Sequence, residues 1–411
     1  MRRMQPNERY GLTWPGKQAA YDEIDIPTTG ALAPEPDGSR PHLFIEGDNL
    51  DALKLLTPGS VRVIYIDPPY NTGQTMRYRD RFRHTEGEAD SRRHAAWLSM
   101  MLPRLALARR LLREDGVLFV SIDDREVHHL RLLLNETFGT DNYVATVTWR
   151  KKVVRGRGAR HVLPQTEYVL VYARHLPALP PFGEPLTDDM RDEYGHEDDQ
   201  GRYKLIPLAK SGTSHSARPN LVYPIAAPDG SAIPCPTHQW RWSKETLAAR
   251  MDEIVFKPNR AGGWRVFTKQ YLDLPAGERE RTPISYYDRA TTTDGTKELK
   301  RLFGRVVIDF PKPTRLIKDL ITWAIPRDAG GAPVILDFFA GSCPTAQAVL
   351  ELNAEDGGDR RFICVQAAAP LDDPEFATLA EVGLARIHKV LPDAALVHVC
   401  RVAGVQEPSK P

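Results

Sequence analysis

Cysteine is scarce in this sequence, and so are long apolar runs. Among 411 residues there are four cysteines, Cys235, Cys343, Cys364 and Cys400, and no Cys-x-x-Cys spacing. That argues against a zinc site and a disulfide framework, and it suits a reducing cytoplasm. No stretch of about 18 apolar residues occurs, so no helical membrane span is expected. The residues from Met1 to Glu8 lack the apolar segment of a secretory signal. Neither sign of charge prevails, with 55 Lys and Arg against 54 Asp and Glu. Net charge is therefore silent about partners, and local clusters must speak. No fixed-period repeat and no long low-complexity tract is present. What remains is an ordinary globular composition, 41% hydrophobic and 27% charged, enough apolar surface for a sizeable core.

Residues 1–42, with several prolines and glycines, read as a wrapping arm. From Leu43 the pattern alternates. A strand at Leu43–Glu46 precedes a helix from Asn49 to Leu56, and the β-branched run Val61–Ile66 is the next strand. Apolar residues at helical spacing predict a helix between His94 and Arg113, stopped by Asp115-Gly116. A buried strand at Val117–Ile122 and a helix from Glu126 to Phe138 follow. Strands alternating with helices mean a parallel sheet covered on both faces. Between residues 140 and 309 the alternation fades into short strands, such as Glu167–Tyr172, and loops. Trp149 to Thr166 holds six basic residues and no acidic one, whereas Glu184 to Asp199 holds eight acidic residues and one Arg. The basic run, with Gly156 and Gly158, suits a phosphate-contacting loop; the acidic run reads as a solvated loop. Regularity returns with a helix at Thr314–Ala324, a strand at Val334–Phe338, a helix at Thr345–Asn353 and a strand at Phe362–Val365.

Two strand ends carry chemistry. Asp67-Pro68-Pro69-Tyr70 follows the strand ending at Ile66, where open parallel sheets bind ligands. Consecutive prolines offer carbonyls without donating an amide hydrogen. A carboxylate, such a backbone and an aromatic ring suit a flat group bearing an NH2: the acceptors take its hydrogens and the ring stacks on its plane. Asp337-Phe338-Phe339-Ala340-Gly341-Ser342 follows the second strand end. Its small residues let a ligand approach the backbone. It lacks the Gly-Lys-Ser/Thr ending of a P-loop and the three-glycine dinucleotide fingerprint, which leaves a small zwitterionic cofactor.

Together these segments resemble the permuted (beta-type) amino-group DNA methyltransferases, above all the modification subunits of type III restriction–modification systems and their solitary relatives. The resemblance extends over Tyr10–Lys17, Phe44–Leu50, Ile64–Gly73, Trp97–Met101, Val120–Asp124, Phe310–Pro313 and Asp337–Val349. It implies a doubly wound, mostly parallel α/β sheet of the Rossmann-like methyltransferase type, assembled from both chain ends, with an inserted target-recognition region. The divisions would be an arm (1–42), a catalytic half (43–139), a DNA-binding region (140–309) and a cofactor half (310–411). S-adenosylmethionine would be the cofactor, with no metal. Asp67, Pro68, Pro69 and Tyr70 would hold a flipped base. Asp48 and Asn49 would lie near the cofactor's adenine and Gln366 near its ribose. Asp337, Phe338, Phe339, Ala340, Gly341 and Ser342 would line its methionine side, with Lys312, Pro313 and Thr314 closing over it. Arg150, Lys151, Lys152, Arg155, Arg157 and Arg160 would contact DNA phosphates.

The implied reaction is site-specific methylation of an adenine N6 amino group in double-stranded DNA, in the cytoplasm of a prokaryote. Asp67 at the head of the motif favours adenine. An N4-cytosine enzyme is the alternative, and a DNA-binding protein with an impaired cofactor site is a second. The sequence has no helicase or nuclease motif, so a restriction subunit would be a separate partner; a homodimer is compatible with the family. Three positions depart from the family pattern, and one is Gln366, which stands where many of these enzymes carry an acid. Cys343 stands where a glycine is usual, and Pro344 follows it at the start of a helix. Because the two change together, the expectation is a rebuilt turn in which Cys343 adopts an ordinary conformation.

Overall fold

The strand Val61–Ile66 shows no polar alternation, and such a strand must be covered on both faces. All six of its residues are buried in the middle of a nine-stranded sheet. The strands of this sheet, in chain order, are β1 (His42–Glu46), β2 (Val61–Ile66), β3 (Leu112–Ile122), β4 (Tyr143–Arg150), β5 (Thr166–Ala173), β6 (Tyr286–Tyr287), β7 (Val334–Asp337), β8 (Arg361–Gln366) and β9 (Val397–Arg401). Across the sheet they run β6-β4-β5-β3-β2-β7-β8-β1-β9. Only β5 is antiparallel to its neighbours, β3 and β4. The expected doubly wound α/β sheet is present, and both chain ends build it, since β2 pairs with β7 through Val63↔Ile335 and Ile64↔Leu336. The structure is a computed structural model that describes residues 11–28, 31, 41–72, 90–153, 161–210, 218–235, 239–260, 262–275, 277–326, 330–391, 393 and 396–402.

Among the described residues, eight helices accompany these strands: α1 (Lys17–Asp25), α2 (Asn49–Leu55), α3 (Asp90–Leu111), α4 (Val127–Phe138), α5 (Thr292–Phe303), α6 (Thr314–Ala324), α7 (Pro344–Asp356) and α8 (Leu379–Val390). Ile64 and Ile66 of β2 join a core with residues of α1, α2, α3 and α4. Val63 and Tyr65 join another with residues of α6, α7 and α8. Successive strand residues point to opposite faces, so the first half of the chain covers one face and the second half the other. No helix is long and apolar enough to cross a membrane among the described residues.

Three expectations need correction. Asp115-Gly116 does not stop α3; that helix ends at Leu111, and residues 112–116 are drawn into β3 with a register shift opposite Val61 and Val63. The boundary at residue 140 cuts through the sheet, because Val147, Trp149, Val169 and Val171 on β4 and β5 are buried in its core. The second compact unit is Glu184–Arg281 instead. The acidic run is not simply solvated. It forms a short helix, Asp188–Asp192, and a strand, His196–Asp198, and Glu184, Glu193 and Asp198 pair with Arg281, Lys204 and Lys269. This unit has its own four-stranded antiparallel sheet and its own core around Leu208, Tyr223 and Trp240. The arm is partly described. Its α1 buries Ala20 and Ile24, and Trp14 donates to Ser99 Oγ at 2.9 Å.

Helix α5 lies tightly against the segment before α6. A Cβ built on Gly295 would stand 2.3 Å from the Pro311 carbonyl oxygen. Helix propensity alone predicts that Gly295→Ala gains up to about 1 kcal/mol. Forcing backbone away from backbone costs about 1–3 kcal/mol, and the clash should win. Thermal melting of Gly295→Ala is expected to show a lower Tm than the native chain; a higher Tm would mean the contact is not tight.

Candidate active site

Strands β2 and β7 are neighbours, so Asp67 and Asp337 at their carboxyl ends open onto one cavity of about 890 Å³. On the β2 side, the prolines make a rigid turn whose Pro69 carbonyl accepts a hydrogen bond from Trp97 Nε1 at 2.6 Å. Pro68 belongs to the cavity wall. Lys312, 8% exposed, extends from the segment before α6 into the same corner. Its ammonium lies 3.0 Å from Asp67 Oδ1 and 3.1 Å from Glu167 Oε2, and it donates to the Tyr70 hydroxyl at 2.7 Å. Tyr70 in turn donates to Glu167 Oε2 at 3.0 Å. Lys151 donates to Glu167 Oε1 at 2.8 Å. Two carboxylates and two ammonium groups thus balance in a confined space.

The titration directions follow from that balance. Burial raises Asp67, Lys312 pulls it back, and the net is upward. Burial also opposes the charge on Glu167, but Lys312 and Lys151 outweigh it and hold that carboxyl below its ordinary value. Burial opposes the charge on Lys312 as well, and Asp67 and Glu167 more than restore it. Glu167 therefore stays the anion of the pocket. Tyr70 is raised well above its ordinary value by burial and by the two carboxylates, so it remains a neutral phenol.

On the β7 side the chain turns sharply into α7. Asp337 is 1% exposed and binds the turn from within: Oδ1 accepts from Phe339 N at 3.1 Å and Oδ2 from the Thr345 hydroxyl. Burial pushes its carboxyl up to about 7 despite these donors. Gly341 has φ 52° with open space where a Cβ would lie, so the turn presents bare backbone to the cavity. Arg386 on α8 is fully buried beneath it. It donates to Ser342 Oγ (3.1 Å), Gln347 Oε1 (2.8 Å) and Thr314 Oγ1 (2.8 Å), and pairs with Glu298 at 3.2 Å.

Several expected positions differ in detail. Lys312 faces Asp67 and Tyr70, not the far side of the cavity, because the carboxylates of Asp67 and Glu167 hold its charge. Pro313 and Thr314 are buried at the start of α6; Thr314 bonds Glu298 through its N–H and hydroxyl and is not part of the cavity wall. The Gln366 side chain accepts from Gly341 N at 2.6 Å and donates to the Ala367 carbonyl, so its amide fastens the turn. Asp48 caps α2 and pairs with Arg104, while Asn49 donates to the Phe338 carbonyl at 2.7 Å. Asp48, Asn49, Phe338, Phe339, Ala340, Gly341, Ser342 and Gln366 all line the cavity. Among the basic residues, Arg150 lies 3.5 Å from Asp288, Lys151 is turned to Glu167, and Lys152 stands over the Phe310 ring at 5.8 Å. Arg155, Arg157 and Arg160 lie outside the described residues. Sequence reasoning missed Glu167 and Arg386. Each leaves one signal, a charge within an otherwise apolar strand or helix face.

The comparisons agree with this geometry. The family described as DNA methylase matches residues 61–369, three quarters of the chain and both strand-end turns, and the chain belongs to that family. It is 35% identical to the type III restriction–modification enzyme StyLTI Mod subunit of Salmonella typhimurium over 85% of this chain and 57% of that one. It is 31% identical to the EcoPI Mod subunit of Escherichia phage P1, over 87% and 64% of the two chains. With the type II methyltransferase M.KpnI of Klebsiella pneumoniae the identity is 32%, over 86% and 88%. The chain thus spans less than two thirds of either Mod subunit.

The turn is not rebuilt at Cys343. That residue has φ 58° and ψ 46°, a left-handed conformation that strains a side-chain-bearing residue by about 1–3 kcal/mol. Pro344 takes the first helical position, which fixes where α7 begins without relieving its neighbour. Gly383 of α8 makes room for the thiol, since a Cβ there would meet Cys343 Sγ at 2.8 Å and the Gly341 carbonyl at 3.0 Å. Gly383→Ala should therefore destabilise the protein by about 1–3 kcal/mol. Adding Cys343→Gly removes both the nearest clash and the strain, so the double variant should be more stable than Gly383→Ala alone. Denaturant titration of the four proteins reads the coupling; strictly additive effects would contradict the contact.

Proposed function

We propose that the protein methylates an exocyclic amino group of a DNA base, adenine N6 in the first instance, using S-adenosylmethionine. The observation that carries this reading is the convergence of the Asp67–Tyr70 turn and the Asp337–Ser342 turn, from adjacent strands, on one cavity. The cofactor side fits a small zwitterion: backbone free of side-chain bulk at Gly341, small residues beside it, and polar groups of Asp48 and Gln366 around the rim. When bound, S-adenosylmethionine supplies an electrophilic methyl group on a sulfonium.

The chain's residues do the rest. An exocyclic nitrogen has its lone pair delocalised into the ring. Asp67 and the Pro68 carbonyl accept its two hydrogens, which favours tetrahedral nitrogen and frees the pair for attack. The Pro69 carbonyl is occupied by Trp97, so Pro68 takes this role. Tyr70, its hydroxyl fixed between Lys312 and Glu167, offers its ring face to the base. Orientation supplies most of the rate, and the acceptors stabilise positive charge developing on nitrogen. The base must leave its stack to enter, at a cost of a few kcal/mol. Lys152 and the run through Arg155, Arg157 and Arg160 offset it by phosphate contacts, whereas Lys151 serves the pocket. Adenine is favoured over cytosine by the Asp that opens the motif. The second unit, Glu184–Arg281, would recognise the target sequence, and a separate restriction subunit would be the partner, in line with the Mod subunits the chain resembles.

Asp67→Ala is expected to reduce methyl transfer to DNA by at least about 100-fold, the scale of losing one such acceptor. Calorimetric titration should find its affinity for S-adenosylmethionine within a few-fold of the native chain. Near-native turnover would refute the role of Asp67, and loss of cofactor binding would relocate it to the cofactor side.

A further inference from the structure

Glu126 begins α4 and is fully buried. Its Oε1 lies 2.6 Å from His94 Nδ1 on α3, and its Oε2 lies 2.9 Å from His129 Nδ1, one turn further along α4. The Asn71 side chain donates to Oε1 at 2.6 Å. Among the described residues the two imidazoles are the only ion-pair partners of this carboxylate. A buried carboxylate needs a compensating cation. The two rings lie side by side, with centroids 4.5 Å apart.

We propose that His94, Glu126 and His129 bind a divalent transition-metal ion of the zinc class. The donor set, two imidazoles and a carboxylate, is one that such ions take with water in the fourth position. The Glu-x-x-His spacing places Glu126 and His129 on one helical face, and the three ligand atoms lie within 4.8 Å of one another. Tetrahedral zinc sets its ligand atoms about 3.3 Å apart, so the three donors, within 4.8 Å of one another, would draw together by at most about 1.5 Å. His94 and His129 are 28% and 33% exposed at the side chain, which leaves room for the water and a path for the ion. The ion would tie α3 and α4 to Asn71, the residue after Tyr70 and one held at φ 56°. Its place is structural, outside the methyl-transfer machinery, and the proposal stands apart from that reading.

The test is titration of tag-free, chelator-dialysed protein with Zn²⁺ against a chromophoric chelator, and with Co²⁺ followed by visible absorption. The native chain should take up one ion with the intense bands of four- or five-coordinate Co²⁺. His94→Gln and His129→Gln should each weaken uptake by more than about 100-fold, since even outer-shell partners of a metal are worth 10–100-fold. His128→Gln, on the exposed neighbour, should not. Absence of uptake by the native chain would overturn the proposal whatever the variants do, and so would His94→Gln and His129→Gln proteins that bind as the native chain does.

Discussion

The ammonium of Lys312 is the point at which the two halves of the chain meet chemically. It comes from the segment before α6, and it touches the end of β2 through Asp67 and Tyr70 and the strand β5 through Glu167. A buried charge of either sign is expensive alone. Here Glu167 and Lys312 are kept charged by their neighbours, so removing one of them leaves an uncompensated group and is expected to cost about 3–5 kcal/mol. The pocket owes its shape to this constraint. Tyr70 cannot swing away while its hydroxyl is held on both sides, and Asp67 cannot leave the ammonium without taking away one of its two carboxylate partners.

The Asp337–Ser342 turn is stabilised by a different device. Its conformation is strained at Cys343 and open at Gly341, and the strain is sustained because Asp337 fastens the turn above and Arg386 supports it below. Arg386 links Ser342, Gln347, Thr314 and Glu298. One guanidinium thereby joins the turn, α7 and the start of α6. Gly383 completes the support by leaving space for a sulfur that a glycine at position 343 would not require. Cys343 is thus tolerated through its neighbours, not through a change of backbone.

Much of this was legible in the sequence. Strands without polar alternation, such as Val61–Ile66, announce two-sided burial, and β1, β2, β7 and β8 with α2, α4, α6 and α7 fall close to where periodicity puts them, whereas β4, β6, β9, α1, α5 and α8 were not read. The helix Thr314–Ala324 has the expected bounds. The two turns are legible because composition at a strand end reports directly on chemistry. Less legible was whatever depends on a partner distant in sequence. Glu167–Tyr172 reads as a strand, but not as one that joins the central sheet, and Glu167 within it reveals its role only when Lys312 is beside it. Lys151 looks like any other residue of a basic run until that carboxylate claims it. The left-handed Cys343 was misjudged because local reasoning sees the proline that follows, and not the helix that accommodates the thiol.

The central claim is that this cavity carries a methyl group to an exocyclic amino nitrogen of DNA. Nucleoside mass spectrometry of DNA from a host without methyltransferases of its own, expressing this chain, tests it most directly. The account predicts N6-methyladenine in that DNA and none when Asp67 is replaced by alanine. A methyl group on cytosine C5, or no modified base from a folded chain that binds S-adenosylmethionine, would contradict it.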